Sequence, residues 1–176
     1  MKTRFLSSVL FAIGFLAAVR LTAAETPKVG DKAPLIEGKD QDGKNWKLSD
    51  QIGKKVVLLY FYPKDDTPGC TKEACGFRDR MEDLKKDKVQ VIGVSFDSGA
   101  SHQKFISKYN LNFPLLADTD GKIAAAYGVK MADKNMARRV SFLIGTDGTI
   151  KHVTDNPSAD VHLSETKDAV EKIKKG

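Results

Sequence analysis

Residues 60–78 have the sequence YFYPKDDTPGCTKEACGFR and contain both cysteines of the chain, Cys70 and Cys75. The apolar run that leads into this stretch, residues 56–62, is short and rich in β-branched and aromatic side chains, and Pro63 ends it. These features predict a buried β-strand. The strand therefore delivers the chain into a polar loop that is followed closely by the first cysteine.

A helix is expected after this loop. Thr67 and Pro68 suit the N-cap and the first turn of a helix over residues 68–86. The free N–H groups and the dipole at a helix N-terminus favour negative charge, and the thiolate is the reactive form of cysteine. Cys70 falls in the first turn, whereas Cys75 lies more than a turn further along. The asymmetry predicts that Cys70 is the nucleophile and Cys75 its partner.

The rest of the chain alternates between extended and helical patterns. A hairpin is expected within residues 35–48, where Asp42 and Gly43 form a turn signal. Ser164 is a candidate cap for the last helix. Strands are expected at 89–96, 113–116, 139–144 and 149–154, and helices at 100–109, 120–127 and 163–175. This order predicts an α/β fold in which a mixed central sheet has helices on both faces and an N-terminal β-hairpin precedes it.

The N-terminus has the layout of a secretory signal peptide, which we predict over residues 1–24. Two basic residues precede an uncharged apolar run over residues 5–19, and small residues follow. An uncleaved anchor is the alternative, although the run is shorter than the roughly 20 residues that span a bilayer. Cleavage would leave one domain, residues 25–176, whose first ten residues we expect to be a linker. The mature protein is then expected in the periplasm or an equivalent compartment, without stable membrane association.

Charge and histidine placement argue against several classes of protein. The chain has 29 Lys and Arg against 23 Asp and Glu. The leader carries three of the bases, so the mature domain has a mild excess of three, which does not indicate nucleic-acid binding. His102, His152 and His162 lack ligand spacing for a metal, and we expect all three at the surface. Neither a metal nor another cofactor is expected.

The spacing of the two cysteines restricts what they can do. Residues five apart on a helix have Cα atoms roughly 8–9 Å apart, and a disulfide needs about 7 Å or less. Cys70 and Cys75 therefore cannot bridge while the helix is intact, which favours a redox couple over a structural staple. Gly76 lowers helix propensity beside Cys75 and would ease local unwinding.

The pattern Pro63-x-x-x-Thr67-x-x-Cys70 resembles the active-site motif of the peroxiredoxins. The longer run PGCTKEACGFRD, residues 68–79, is similar to the atypical two-cysteine branch called bacterioferritin comigratory protein or peroxiredoxin Q. The resemblance covers most of residues 28–155, and its further matches lie at 29–34, 126–129 and 139–144. It implies a thioredoxin-like fold, which agrees with the order of elements predicted above.

The resemblance also implies an activity, the thiol-dependent reduction of hydrogen peroxide and organic hydroperoxides. Cys70 would be the peroxidatic thiolate, which becomes a sulfenic acid. Cys75 would be the resolving cysteine and would form a Cys70–Cys75 disulfide after local unfolding. A thioredoxin-like protein would reduce this disulfide by exchange. The protein is expected to be a monomer whose partners are the peroxide and this reductant.

Five more residues receive roles from the resemblance. The Thr67 hydroxyl would hydrogen-bond the peroxide and the thiolate, and Pro63 would pack over the site. The fixed charge of Arg139 would stabilise the thiolate and the leaving oxygen, with help from the Gly69 N–H group. Glu73 would support the arginine. Three of them have a plainer alternative, in which Thr67 serves only as an N-cap, Pro63 as a strand terminator and Glu73 as a solvated helix residue.

Two other functions compete with this interpretation. A thioredoxin-type oxidoreductase would carry Cys-x-x-Cys at its helix start, whereas four residues separate the cysteines here. An exported binding domain with a structural disulfide is the non-enzymatic alternative. Arg138 also adjoins Arg139, and because successive strand residues point to opposite faces, only one of the two arginines can reach the site.

Overall fold

A five-stranded sheet lies at the centre of the computed structural model, which describes residues 24–175. The strands are β1 (Glu37–Lys39), β2 (Asn45–Lys47), β3 (Val56–Phe61), β4 (Val89–Ser95), β5 (Leu115–Ala117), β6 (Val140–Ile144) and β7 (Ile150–Asp155). The helices are α1 (Pro68–Asp79), α2 (Met81–Lys86), α3 (Gly99–Tyr109), α4 (Lys122–Ala126) and α5 (Ala159–Lys175), and a 3-10 turn covers Leu48–Asp50.

The sheet is mixed, as the sequence predicts. Its strand order is β5-β4-β3-β6-β7. Strands β3, β4 and β5 run parallel, while β6 pairs antiparallel with both β3 and β7. Strands β1 and β2 form a separate antiparallel hairpin, in which Gly43 takes the positive φ that its turn requires. The predicted N-terminal hairpin is therefore confirmed.

Strand β3 is buried on both faces, which explains its uninterrupted apolar sequence. Leu59 and Phe61 contribute to one hydrophobic cluster, and Leu58 and Tyr60 to the other. The first cluster lies under the β1–β2 hairpin and α4, and the second lies under α1, α2, α3 and α5. Helices thus cover both faces of the sheet, and the central strand ends at the loop that carries the predicted site.

Two helix boundaries differ from the sequence prediction. The expected helix over 68–86 is broken at Arg80, whose backbone (φ −98°, ψ 3°) ends α1 and precedes α2. Helix α5 begins at Ala159 rather than at residue 163, so Ser164 is not its cap. The hydroxyl of Ser164 donates to the Val161 carbonyl within the helix. The true start follows an Asx turn in which the Asn156 side chain accepts from the Ser158 N–H at 2.9 Å.

The segment before β1 packs on the domain, so the linker prediction for residues 25–34 is wrong. The Thr26 hydroxyl donates to the Gly128 carbonyl at 3.1 Å, and the Gly30 N–H donates to Ile150 at 2.9 Å. The predicted signal peptide, residues 1–24, lies outside the described residues except for its last one. Within residues 24–175, no helix has the length and apolarity needed to cross a bilayer.

Candidate active site

Cys70 lies where the sequence places it, in the first turn of α1, and it is only 2% exposed. Thr67 has the extended backbone of an N-cap (φ −93°, ψ 151°) and Pro68 opens the helix. The Thr67 side chain does not cap the helix, however, because its hydroxyl donates to the Lys64 carbonyl at 3.1 Å. The first N–H groups of an α-helix have no partner within the helix, and the Thr67 hydroxyl does not occupy them here.

Arg139 connects the thiol to the interior of the protein. Its Nη2 donates to the Cys70 sulfur at 3.2 Å, and its Nη1 forms an ion pair with the Glu73 carboxylate. Its Nε donates to the Pro157 carbonyl at 3.1 Å. The arginine side chain is only 8% exposed. These three contacts fix the guanidinium with its Nη2 edge turned to the sulfur.

The neighbouring Arg138 points elsewhere. It forms an ion pair with Asp155 and donates to the Thr26 hydroxyl at 3.1 Å. The two arginines therefore diverge, as the alternation of strand residues predicts. Gly69 lies against Arg139, since a Cβ at Gly69 would be 3.2 Å from Nη2. A larger residue at this position would press on the guanidinium.

Glu73 is fully buried, so its alternative as a solvated helix residue is wrong. Burial raises the pKa of Glu73 to about 7, although the charge and hydrogen bond of Arg139 act in the opposite direction. Burial would lower the pKa of Arg139, but the charges of Glu73 and Cys70 outweigh it and the pKa rises. Arg139 therefore stays charged, and the ionisation of Glu73 responds to pH near neutrality.

The loop between β3 and α1 is fixed by Asp65, which the sequence analysis missed. Its carboxylate accepts from the Tyr62 hydroxyl at 2.7 Å and the Ser101 hydroxyl at 2.8 Å. It also lies 2.9 Å from Nδ1 of His102, whose other ring nitrogen is 3.2 Å from the Leu116 carbonyl. The loop is thereby tied to α3 through a buried cluster.

Asp66, the next residue, is the second loop anchor. It takes the left-handed conformation (φ 56°), which aspartate tolerates better than most residues. Its carboxylate lies 2.7 Å from the Lys108 ammonium and accepts from the Tyr109 hydroxyl at 2.6 Å. The Asp-Asp pair in a loop before a helix was the available sequence signal for both anchors.

Two of the three histidines were placed wrongly by the sequence analysis. His102 and His162 are fully buried, and only His152 is partly exposed. Each buried ring lies on a helix face turned toward the sheet and contacts polar groups through both nitrogens. Among residues 24–175, no group of three or more His, Cys, Asp or Glu side chains could hold a metal ion.

We expect Asp65→Asn to destabilise the protein by about 2–4 kcal/mol, because an amide nitrogen cannot accept the hydrogen bonds that the buried carboxylate accepts. Urea unfolding of the reduced protein would measure this. Asp66→Asn is the matched control, since its carboxylate is exposed and asparagine suits the left-handed backbone equally well; we expect a much smaller shift. Equal shifts for the two variants would contradict the anchoring role of Asp65.

Cys75 is half-exposed and lies further along the unbroken helix α1. Both cysteines are free thiols, which does not fit a structural disulfide. Gly76 packs closely against α5, because a Cβ there would be 2.4 Å from Cδ1 of Leu163. Unwinding α1 around Cys75 must therefore break this contact between the two helices. Pro63 lies half-buried just after β3.

The structure places a buried cysteine at a helix start and a fixed arginine that donates a hydrogen bond to it, next to a thioredoxin-like sheet. These features define the class of thiol-dependent peroxidases. The family model for the AhpC/TSA family matches residues 29–153. The chain belongs to the AhpC/TSA family, and it is a peroxiredoxin of the kind named Bcp or peroxiredoxin Q.

Individual relatives agree with this assignment. The putative peroxiredoxin bcp of Coxiella burnetii is 48% identical over 145 residues, which cover 78% of this chain and 95% of that protein. The crystal structure of peroxidoxin BcpB from Mycobacterium tuberculosis superimposes with a TM-score of 0.78 at 35% identity, covering 83% of this chain and 97% of that one. The bacterioferritin comigratory protein of Xanthomonas campestris, studied for alkyl peroxide reduction, gives a TM-score of 0.71 at 29% identity, covering 78% and 90%.

Proposed function

We propose that Cys70 is the residue through which this peroxidase reduces hydrogen peroxide and organic hydroperoxides. The observation that carries the proposal is the hydrogen bond that Nη2 of Arg139 donates to the Cys70 sulfur at 3.2 Å. The thiolate attacks one peroxide oxygen, the O–O bond breaks, and Cys70 becomes a sulfenic acid. The other oxygen leaves as hydroxide or alkoxide and takes up a proton to give water or an alcohol. The alkyl peroxide activity studied in the Xanthomonas campestris relative supports the organic substrates.

The surrounding residues bind the peroxide and stabilise the charge that moves during the reaction. Arg139 stabilises the thiolate first and then the leaving oxygen, because its guanidinium presents several N–H donors in a fixed plane. The Gly69 N–H group adds a donor at the helix start. Thr67 bonds the peroxide once its hydroxyl turns from the Lys64 carbonyl, and Pro63 limits access of water to the thiol.

Arg139→Met should lower the rate constant for peroxide reduction by about 10²–10³-fold, the loss typical of removing one charge-stabilising donor. Stopped-flow mixing of the reduced protein with peroxide measures this constant. Arg138→Met is the matched control, because the adjacent arginine is directed toward Asp155 and away from the sulfur. If both variants lost activity to the same extent, the assignment of Arg139 would be wrong.

Cys75 resolves the sulfenic acid in this proposal. Its thiol attacks the Cys70 sulfur, water leaves, and a Cys70–Cys75 disulfide forms. The two residues are five apart on α1, so this step requires the helix to unwind and to lose the contact between Gly76 and Leu163. Cys75 is partly exposed and Gly76 beside it lowers the helix propensity, and both features support local unwinding here.

A thioredoxin-like dithiol protein restores the two thiols by exchange. We further propose that residues 1–24 direct export, which leaves residues 25–176 as the mature, monomeric enzyme in the periplasm or an equivalent compartment. The basic residues followed by the apolar run at the start of the sequence support this. The reductant must then be an exported protein, because thiols in such compartments are otherwise kept oxidised.

A further inference from the structure

His162 lies on α5 directly behind the arginine–glutamate pair. Its Nε2 is 2.8 Å from the Asn156 carbonyl, which can only accept, so this nitrogen carries a proton. Its Nδ1 is 2.6 Å from the Ser141 hydroxyl and 3.4 Å from Oε1 of Glu73. A neutral His162 therefore turns an unprotonated nitrogen toward both groups.

Glu73 has one carboxylate oxygen that lacks a hydrogen bond within the part of the chain that the structure describes. Oε2 is paired with Arg139, but Oε1 is buried and has no hydrogen-bond partner among residues 24–175. With Cys70 as a thiolate, the positive charge of Arg139 faces two negative charges, those of Cys70 and Glu73. An unpaired buried charge is costly. One proton between Oε1 of Glu73 and Nδ1 of His162 would make the cluster neutral and give Oε1 its missing partner.

We propose that His162 is a positioning residue for the peroxidase reaction: it shares one proton with Glu73 and thereby leaves the charge of Arg139 available to Cys70. The inference rests on the proposed function of Cys70. It adds a residue from α5 that acts on the sulfur only through Glu73 and Arg139.

The tendencies of the two groups agree with a shared proton. Burial raises the pKa of Glu73 to about 7 and lowers the pKa of His162 from its usual value of 6.5. Burial thus shifts the proton affinity of the carboxylate up and that of the imidazole down, and two interacting groups at this distance titrate as one unit.

Three other ionisable groups lie near the pair. Tyr60 of β3 faces Glu73 and Cys70, and burial raises its pKa well above the usual value, so it stays neutral. Asp155 at the end of β7 is paired with Arg138. Glu165 of α5 accepts from the Thr154 hydroxyl at 2.7 Å and lies 3.2 Å from His152. None of these three supplies the missing proton.

The rate of peroxide reduction should depend on the protonation of this pair. Below neutrality the pair holds its proton, and the guanidinium acts fully on the thiolate and the peroxide. As the pH rises through the titration of the pair, Glu73 ionises and draws the charge of Arg139 toward itself. On the alkaline side the rate constant should fall on the order of threefold to tenfold, less than the roughly 10²-fold loss expected when a donor is removed outright.

Two variants distinguish proton sharing by His162 from a purely structural role of this residue. Glu73→Gln cannot ionise, so the pH profile of this variant should show no step in this range, whatever its absolute rate. His162→Gln offers an amide donor to Oε1, which keeps Glu73 ionised, so its rate should stay on the low plateau. His152→Gln is the matched histidine control and should keep the wild-type step. A His162→Gln profile that superimposes on the wild-type profile would overturn the proposal.

A measurement on the unmodified protein avoids dependence on folding of the variants. Nuclear magnetic resonance of the reduced enzyme, with labelled glutamate carboxyl and histidine ring nitrogens, should show Glu73 and His162 titrating together. If Glu73 and His162 titrated independently, proton sharing would be wrong, even if inactivity of Cys70→Ser supported the role of Cys70. Peroxide reduction by Cys70→Ser would instead overturn the function on which the inference rests.

Discussion

Replacing Cys70 with serine should reduce peroxide consumption to the uncatalysed background, a loss of at least about 10⁶-fold if the enzyme reaches ordinary catalytic acceleration. A serine hydroxyl in the same place is not ionised and cannot form a sulfenic acid. The site would keep Arg139 and Glu73 but would lack the atom that receives the peroxide oxygen. Peroxide loss after mixing with the pre-reduced variant, without any added reductant, measures the effect.

The control for this variant is Cys75→Ser, which keeps the thiol in the first turn of α1. We expect it to consume one peroxide per molecule at a rate close to that of the wild type. Circular dichroism of both variants would check that the fold is retained. Peroxide consumption by Cys70→Ser at the wild-type rate would show that another group carries the chemistry.

Cys75→Ser should also give the second large effect, the loss of sustained turnover with a thioredoxin-like reductant. Without a second thiol on α1, the Cys70 sulfenic acid has no partner within the chain and is exposed to further oxidation. We expect one rapid turnover followed by arrest. Steady-state peroxide consumption, with the mass of the stalled protein, measures both parts.

The matching observation is the identity of the stalled species. A sulfenic acid on Cys70, or its further oxidised form, agrees with the assignment of Cys75 as the resolving residue. Undiminished turnover by Cys75→Ser would contradict it, because a group other than Cys75 would then resolve the sulfenic acid.

The parts of the fold that local sequence determines were predicted correctly. The apolar run of β3, the stop at Pro63 and the first-turn position of Cys70 each follow from a few neighbouring residues. The choice of Arg139 over Arg138 came from strand alternation together with the family resemblance, and the structure places only Arg139 against the sulfur. These features depend on period and spacing, which a single sequence contains.

The parts that depend on distant packing were not predicted. His102 and His162 looked like surface residues because nothing near them in sequence shows that their partners are Asp65, 37 residues away, and Ser141, 21 residues away. The break at Arg80 shows the same limitation. A helical pattern alone did not indicate where α1 ends on the sheet.

In the proposed cycle, peroxide oxidises Cys70, and Cys75 then forms a disulfide with it within the same chain. The most direct test treats the fully reduced enzyme with one equivalent of peroxide and maps the cysteines by mass spectrometry. We expect a Cys70–Cys75 disulfide within one chain and no remaining peroxide. Consumption of the peroxide with Cys70 still a free thiol, or with disulfides only between chains, would contradict it.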